Sequence, residues 1–134
     1  MHFYDIVQPT PEWPEAPTRN HVREVIRFAE GVAEDHNVLV HCAAGISRSS
    51  ATALTILASK HERTREGADR ALRALLEVKR EIHPNATIVR HADKLLGFKG
   101  VLVQRYKEIF PADGLVLLPC DDLDDLMREA GFEF

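Results

Sequence analysis

Residues 38–50, VLVHCAAGISRSS, decide the fold that the sequence predicts. The compact apolar run from Asn37 to His41 predicts a buried strand, and the apolar residues from Ser49 to Lys60 predict a largely buried helix. A short loop that starts at Cys42 joins the two elements. Because a buried strand followed by a helix is the unit from which parallel sheets are built, this stretch predicts an α/β domain.

Further elements are predicted on both sides of this unit. Upstream, strand residues at His2–Val7 and a proline-rich loop at Gln8–Pro17 precede a helix at Thr18–Glu34. Downstream, Asn85 is positioned to cap a helix that ends at Gly97. The remaining predicted elements are helices at Arg65–Glu81 and Val101–Phe110, a strand at Leu115–Leu118 and a short helix at Asp121–Ala130. The expected fold is therefore a small, central, parallel-type sheet flanked by helices.

The loop between the central strand and its helix has the composition of an anion-binding site. Main-chain N–H groups at a helix N-terminus point towards such a loop, and the helix dipole favours negative charge there. Ala43, Ala44 and Gly45 are small enough for the backbone to approach a phosphate closely. Arg48 adds a planar guanidinium group that can bind two phosphoryl oxygens at once.

Cys42 lies at the base of this loop, where its thiol would face a bound phosphoryl group. Thiols near helix N-termini and cations ionise more readily than ordinary thiols, so the field that binds a phosphate also favours a thiolate. A thiolate in this position can attack phosphorus in line and form a phosphocysteine intermediate. The five residues between Cys42 and Arg48 let one loop surround the tetrahedral group.

Residues 41–49, HCAAGISRS, resemble the HCxxGxxR[ST] signature of the cysteine-dependent protein tyrosine phosphatases. The HCxAGxSRS pattern of the dual-specificity-like branch, in its small bacterial-type members, is the most similar. Two further segments carry the same resemblance: Arg80–Asn85, which follows the second helix after the loop, and Phe3-Tyr4-Asp5, the end of the first strand.

The resemblance implies a role for each matching residue. Cys42 would be the nucleophile, Ser49 would donate a hydrogen bond to its sulfur, and Asp5 would be the general acid. His41 and Asn85 would give structural support to the loop. Substrate phosphate would be bound by the loop itself, Ala43, Ala44, Gly45, Ile46, Ser47 and Arg48.

The identity of the general acid stays open at the level of the sequence. Asp5 lies 37 residues before Cys42, a somewhat longer separation than expected, because the proline-rich loop intervenes. Glu12 and Glu15 are the alternatives, the latter in a Trp-Pro-Glu run that superficially resembles the mobile acid loop of tyrosine phosphatases.

The start of the chain departs from the family pattern. A strand–helix–strand unit normally precedes the acid strand, and here the first candidate acid is residue 5. The N-terminal strands would be absent, or the C-terminal segment would replace them in a circularly permuted sheet. A trimmed N-terminus, or a dimer that shares strands, would account for the missing unit as well. The sequence predicts one domain over residues 1–134, with an acid strand and proline-rich loop (1–17), a strand–loop–helix unit (37–60) and an acidic strand–helix segment (112–134).

Composition restricts the classes of function. The 134 residues carry a formal net charge of −4, which argues against a nucleic-acid partner. No apolar run reaches membrane-spanning length, residues 1–7 do not have the pattern of a signal peptide, and the two cysteines do not suggest a disulfide framework, so a cytoplasmic location is expected. No metal-ligand spacing occurs, so no metal or other cofactor is implied. The oligomeric state is left open.

These observations predict a phosphomonoester hydrolase with phosphoprotein substrates. The uncharged loop side chains favour phosphotyrosine, with phosphoserine and phosphothreonine as a wider range, over multiply phosphorylated lipids. The alternatives are a phospho-binding module without efficient turnover, a phosphatase for a small metabolite or an RNA 5′ end, and a thiol redox protein that uses Cys42 and Cys120.

Overall fold

The computed structural model describes residues 17–33, 36–42, 45–110, 128 and 131. Within these residues the chain forms five helices that follow one another along the sequence. They are α1 (Arg19–Glu30), α2 (Arg48–Ser59), α3 (Arg65–Val78), α4 (Ala86–Leu96) and α5 (Val101–Ile109). Each lies within or close to the range that the sequence predicts for it.

The helix ends are set by short-range capping, as the sequence predicts for α4. The Asn85 side chain accepts hydrogen bonds from Thr87 N at 3.0 Å and Ile88 N at 3.2 Å, satisfying main-chain donors that have no partner inside the helix. Gly97 ends α4 in the left-handed region at φ 84°, which a glycine adopts without a steric penalty. The predicted cap and stop are both confirmed.

Helix α2 lies at the centre of the fold and packs against α1, α3 and α4. Its inner face is formed by small and medium side chains, Ala51, Leu54, Thr55 and Ala58, which are almost completely buried. Phe98 is also almost completely buried and belongs to the same core. Since each fully buried leucine or phenylalanine contributes roughly 1.5–3 kcal/mol, this packing fixes the position of the α2 N-terminus. Among the described helices, none has the length and apolar character needed to cross a membrane.

The predicted parallel sheet is wrong. Residues 37–42 have no regular secondary structure, and the described ranges contain no strand and no sheet. The apolar run is also exposed rather than buried, with 36% of Val38 and 88% of Leu39 accessible to solvent. A strand requires hydrogen bonds to a neighbouring strand, and apolar composition alone cannot supply that partner. The described part of the chain is all-helical, not α/β.

Three of the other predicted elements lie outside the described residues: His2–Val7, Leu115–Leu118 and, apart from Arg128, Asp121–Ala130. The hypothesis that the C-terminal segment replaces the missing strands therefore falls on residues outside the described ranges, and those ranges contain no sheet.

A buried ion pair joins α3 to α5. Arg105 Nε donates to Asp69 Oδ1 at 2.7 Å, and both side chains are about 95% buried. The Arg105 guanidinium also donates to Glu108 Oε2 at 2.5 Å and to the Gly131 carbonyl at 3.1 Å. Burial raises the pKa of Asp69 above its usual value, although the contact with Arg105 opposes that shift. Arg105 therefore links α3, α5 and the chain near residue 131.

Two partly buried histidines make the stability of the fold dependent on pH. Burial lowers the pKa of His61 and of His91 below 6.5, with a smaller contribution from nearby arginines and, for His91, Lys94. Because the unfolded chain then binds more protons than the folded chain, the free energy of unfolding falls as the pH drops below about 6.5. We expect the unfolding midpoint to decrease between about pH 7.5 and about pH 5.5, above the range where carboxylates titrate.

Thermal unfolding of wild type, His61→Gln and His91→Gln at several pH values measures this effect. Each variant should lose part of the pH dependence, because glutamine stays neutral throughout. His36→Gln, at an exposed position outside the helices, serves as the comparison for the loss of a histidine elsewhere in the chain. An equal slope in all four proteins would contradict the assignment.

Candidate active site

The loop that follows Cys42 leads directly into the N-terminus of α2. Cys42 follows a segment without regular secondary structure, Gly45 to Ser47 form a bend, and Arg48 is the first residue of the helix. Ala43 and Ala44 lie outside the described residues. The first main-chain N–H groups of α2 and the positive end of the helix dipole therefore lie at the loop, as an anion site requires.

The Cys42 sulfur has two hydrogen-bonding neighbours. Gly45 N donates to Cys42 Sγ at 3.2 Å, and Ser49 Oγ lies 3.3 Å from the same sulfur. The cysteine is half-buried and Ser49 is buried. A main-chain N–H and a hydroxyl group can both donate to a sulfur anion, so the arrangement suits a thiolate nucleophile.

Arg48, at the first position of α2, is half-buried. One helical turn above the loop, the Ser50 hydroxyl donates to the carbonyls of Ile46 and, at 3.1 Å, Ser47. These contacts hold the bend against the first turn of the helix. The Arg48 guanidinium group and the helix N-terminus thus lie together at the start of α2, six residues after the cysteine.

A second segment, residues 79–85, runs along the outside of the loop. His83 N donates to Ile46 O and Asn85 N donates to Ser47 O, both at 3.1 Å. Asn85 is 4% exposed, and its main-chain N–H reaches the loop carbonyl while its side-chain oxygen caps α4. The structure therefore places Asn85 in contact with the loop, and the supporting role that the resemblance implies for it stays a prediction.

Tyr106 of α5 contacts this outer segment through its hydroxyl group and its ring. Its hydroxyl donates to the Pro84 carbonyl at 2.6 Å, and its ring lies in edge contact with His83. Burial raises the pKa of Tyr106 to about 12, so the hydroxyl keeps its proton at any ordinary pH. Helix α5 is coupled in this way to the segment that contacts the loop.

Lys79 is a site residue that the sequence reasoning missed. Its Nζ donates to the Gly45 carbonyl at 3.1 Å, although the two residues are 34 positions apart. The only signal in the sequence was its place directly before the Arg80–Asn85 stretch. Gly45 itself has a positive φ of 69°, and a Cβ there would lie 3.3 Å from Lys79 Nζ.

A cavity of about 670 Å³ adjoins the loop. It lies between residues 36–41 and helices α2 and α3, and its wall includes Gly45, Ser49 and Lys79. His41, predicted to support the loop from behind, is exposed and also lines this cavity. The support that we expect from His41 stays a prediction.

The candidate acids Asp5, Glu12 and Glu15 and the second thiol, Cys120, lie outside the described residues. Their roles stay predictions from the sequence.

Comparison with known proteins gives one finding. A family model described as protein-tyrosine phosphatase matches residues 5–84. The matched part is more than half of the 134 residues and contains the Cys42 loop, the three candidate acids and the outer segment up to Pro84. No curated protein and no solved structure matches the chain.

Proposed function

Because this chain belongs to the protein-tyrosine phosphatase family, we propose that it hydrolyses phosphomonoesters through a phosphocysteine on Cys42. The observation that carries the proposal is the environment of the Cys42 sulfur, which has Gly45 N and Ser49 Oγ at hydrogen-bond distance. The loop that provides these groups ends at the N-terminus of α2, where a dianion is stabilised. The family match supports a phosphatase with a cysteine mechanism, and the contacts support Cys42 as its nucleophile.

In the first step the Cys42 thiolate attacks phosphorus. A sulfur–phosphorus bond forms as the bond from phosphorus to the leaving oxygen breaks, and that oxygen takes a proton from the general acid. Negative charge on the equatorial oxygens is stabilised by the loop N–H groups and by the Arg48 guanidinium. Asp5 is the acid that we propose, with Glu12 and Glu15 as the alternatives.

In the second step water attacks the phosphocysteine. The carboxylate formed in the first step takes a proton from the water, and the sulfur–phosphorus bond breaks to release inorganic phosphate. The sulfur leaves as a thiolate. The hydroxyl of Ser49, 3.3 Å from Sγ, is placed to donate to the departing sulfur and so to ease its release.

We propose phosphoproteins as the substrates, with phosphotyrosine preferred. The loop side chains are uncharged apart from Arg48, so the loop itself offers no extra cations for a multiply phosphorylated lipid head group.

Hydrolysis of an aryl phosphate across pH tests the proposal and identifies the acid. Wild type should show turnover with a fall at high pH, where the general acid loses its proton. Asp5→Asn should lower the rate by about 10²–10⁴-fold, the usual contribution of general acid–base catalysis, and should flatten the basic limb of the profile.

Glu12→Gln and Glu15→Gln are the matched controls, and each should keep the wild-type profile. If Asp5→Asn behaves like wild type while one of the glutamate variants loses the basic limb, the acid is reassigned and the cysteine mechanism stands. Tight binding of a phosphate analogue without turnover in wild type would instead indicate a phospho-binding module. Turnover of small phosphate esters but not of phosphopeptides would move the substrate to a metabolite.

A further inference from the structure

Three successive carbonyl groups of the phosphate loop are bound from outside by one segment of the chain. Residues 79–85, which we call the frame segment, provide all three donors. Lys79 Nζ donates to Gly45 O, His83 N to Ile46 O and Asn85 N to Ser47 O, each at 3.1 Å.

These contacts determine where the loop N–H groups point. In a trans peptide the carbonyl and the N–H of the same unit lie on opposite sides of the chain. Holding the carbonyls of Gly45, Ile46 and Ser47 towards the frame segment therefore turns the N–H groups of Ile46, Ser47 and Arg48 to the other side. Donors that are fixed in place before a charged ligand arrives stabilise it without a cost of reorganisation.

The Gly45–Ile46 peptide has the greatest need of such a contact. Glycine populates many backbone conformations, and Gly45 stands at φ 69°. Its N–H donates to the Cys42 sulfur, so this residue joins the nucleophile to the rest of the loop. Of the three frame contacts, the one at Gly45 is made by a side chain, and it can be removed by substitution without altering the backbone.

We propose that Lys79 is a positioning residue, which holds the Gly45 carbonyl outward and thereby directs the Ile46 N–H towards the bound oxyanion. The inference rests on the proposed function, since it assigns Lys79 to the same phosphate site. Lys79 acts through the loop peptide and not on the reacting atoms. Its removal therefore weakens the binding of phosphate and of the transition state but leaves the nucleophile and the acid in place.

The test compares Lys79→Met, Lys79→Arg and the control Lys60→Met. Lys60 also donates to a main-chain carbonyl, Ala29 O at 2.7 Å, and carries the same charge, but it joins α2 to α1 at the end of α2 opposite the loop. The measurements are kcat and KM for an aryl phosphate, the inhibition constant of vanadate, and the shift in unfolding midpoint caused by inorganic phosphate.

We expect Lys79→Met to lower kcat/KM about tenfold and to weaken the binding of vanadate by the same factor. This is the effect of losing one hydrogen bond to a charged group. Lys79→Arg should restore most of this loss, because a guanidinium can donate to the same carbonyl. Lys60→Met should retain the wild-type constants. Repeating the assay at about 1 M salt, where charges are screened beyond about 3 Å, separates positioning from simple attraction.

Several outcomes would overturn the inference. One is wild-type vanadate inhibition in Lys79→Met, and another is a loss that disappears at high salt, which would mean that Lys79 acts only as a nearby charge. A loss that Lys60→Met shares would indicate general destabilisation. If wild type binds phosphate but shows no turnover, the proposed function fails alone, and the phosphate-induced midpoint shift of Lys79→Met still decides the role of Lys79. If wild type does neither, both proposals fail.

Discussion

Cys42→Ser is expected to abolish turnover of aryl phosphates while the protein still binds oxyanions. A serine hydroxyl at this position is almost fully protonated and is a far weaker nucleophile than a thiolate, so no covalent intermediate forms. Removal of a nucleophile costs up to about 10⁶-fold in kcat in well-studied hydrolases, and we expect a loss of at least about 10⁴-fold.

Binding should survive the same substitution. The groups proposed to hold phosphate are main-chain N–H donors and Arg48, and the serine oxygen can still accept from Gly45 N, which lies 3.2 Å from the cysteine sulfur. In the proposed mechanism the Cys42 sulfur is a thiolate, so its removal should even favour an anionic ligand. The measurement is the increase in unfolding midpoint with inorganic phosphate, which reports binding independently of turnover.

Cys120→Ser is the matched control, because it removes the other thiol of the chain. It should leave turnover unchanged. If Cys42→Ser keeps the wild-type rate, the phosphocysteine mechanism is wrong. If both serine variants lose activity, and if wild type loses it on oxidation and regains it with a thiol reductant, the thiol redox interpretation gains support instead.

The helices could be predicted from the sequence because their signals are local. The apolar spacing of Val22, Val25 and Ala29 marks the buried face of α1, and all three residues are buried in the structure. Helix α4 begins after Asn85 and ends at Gly97. Both ends depend on hydrogen bonds and a backbone conformation that involve only neighbouring residues. Information of this kind is contained in short windows of the sequence.

The sheet could not be predicted in the same way, because strand pairing depends on partners that are distant in sequence. The apolar composition of Val38, Leu39 and Val40 is compatible with a buried strand, but it does not specify a neighbour. In the described structure the Leu39 side chain is 88% exposed. The composition of this segment therefore determined neither its pairing nor its burial.

The same difference between local and long-range contacts applies to the candidate site. The contact between Cys42 and Ser49 joins residues only seven positions apart, one before the loop and one in the first turn of α2. The contacts of the frame segment join the loop to residues more than thirty positions away, and two of them are made by main-chain N–H groups. Residue type carries no signal for a main-chain donor, so the resemblance indicated support from Asn85 but not the atoms that make these contacts.

Arg48→Ala is expected to reduce kcat/KM by about a thousandfold, the upper part of the range for loss of one group that stabilises charge in a transition state. The half-buried guanidinium is at the first residue of α2, next to the N–H groups that we propose to bind phosphate. Arg48→Lys should recover little of the loss. An ammonium group keeps the charge but lacks the planar pair of donors that binds two phosphoryl oxygens together.

The lysine variant separates chemistry from folding. Lysine and arginine have nearly equal helix propensities, so α2 should form normally and the unfolding midpoint should change little. Arg73→Lys, on an i, i+4 ion pair with Glu77 in α3, provides the control for an arginine-to-lysine change away from the loop, and it should retain full activity.

Vanadate affinity determines which interaction Arg48 contributes. A planar pair of hydrogen bonds should be stronger in the transition state than in the substrate complex. Arg48→Lys should therefore raise the inhibition constant of vanadate by a larger factor than it raises KM. Equal losses would mean that Arg48 binds substrate and transition state alike, as a simple charge does. Full activity in Arg48→Lys would contradict a bidentate role, and full activity in Arg48→Ala would remove Arg48 from the site.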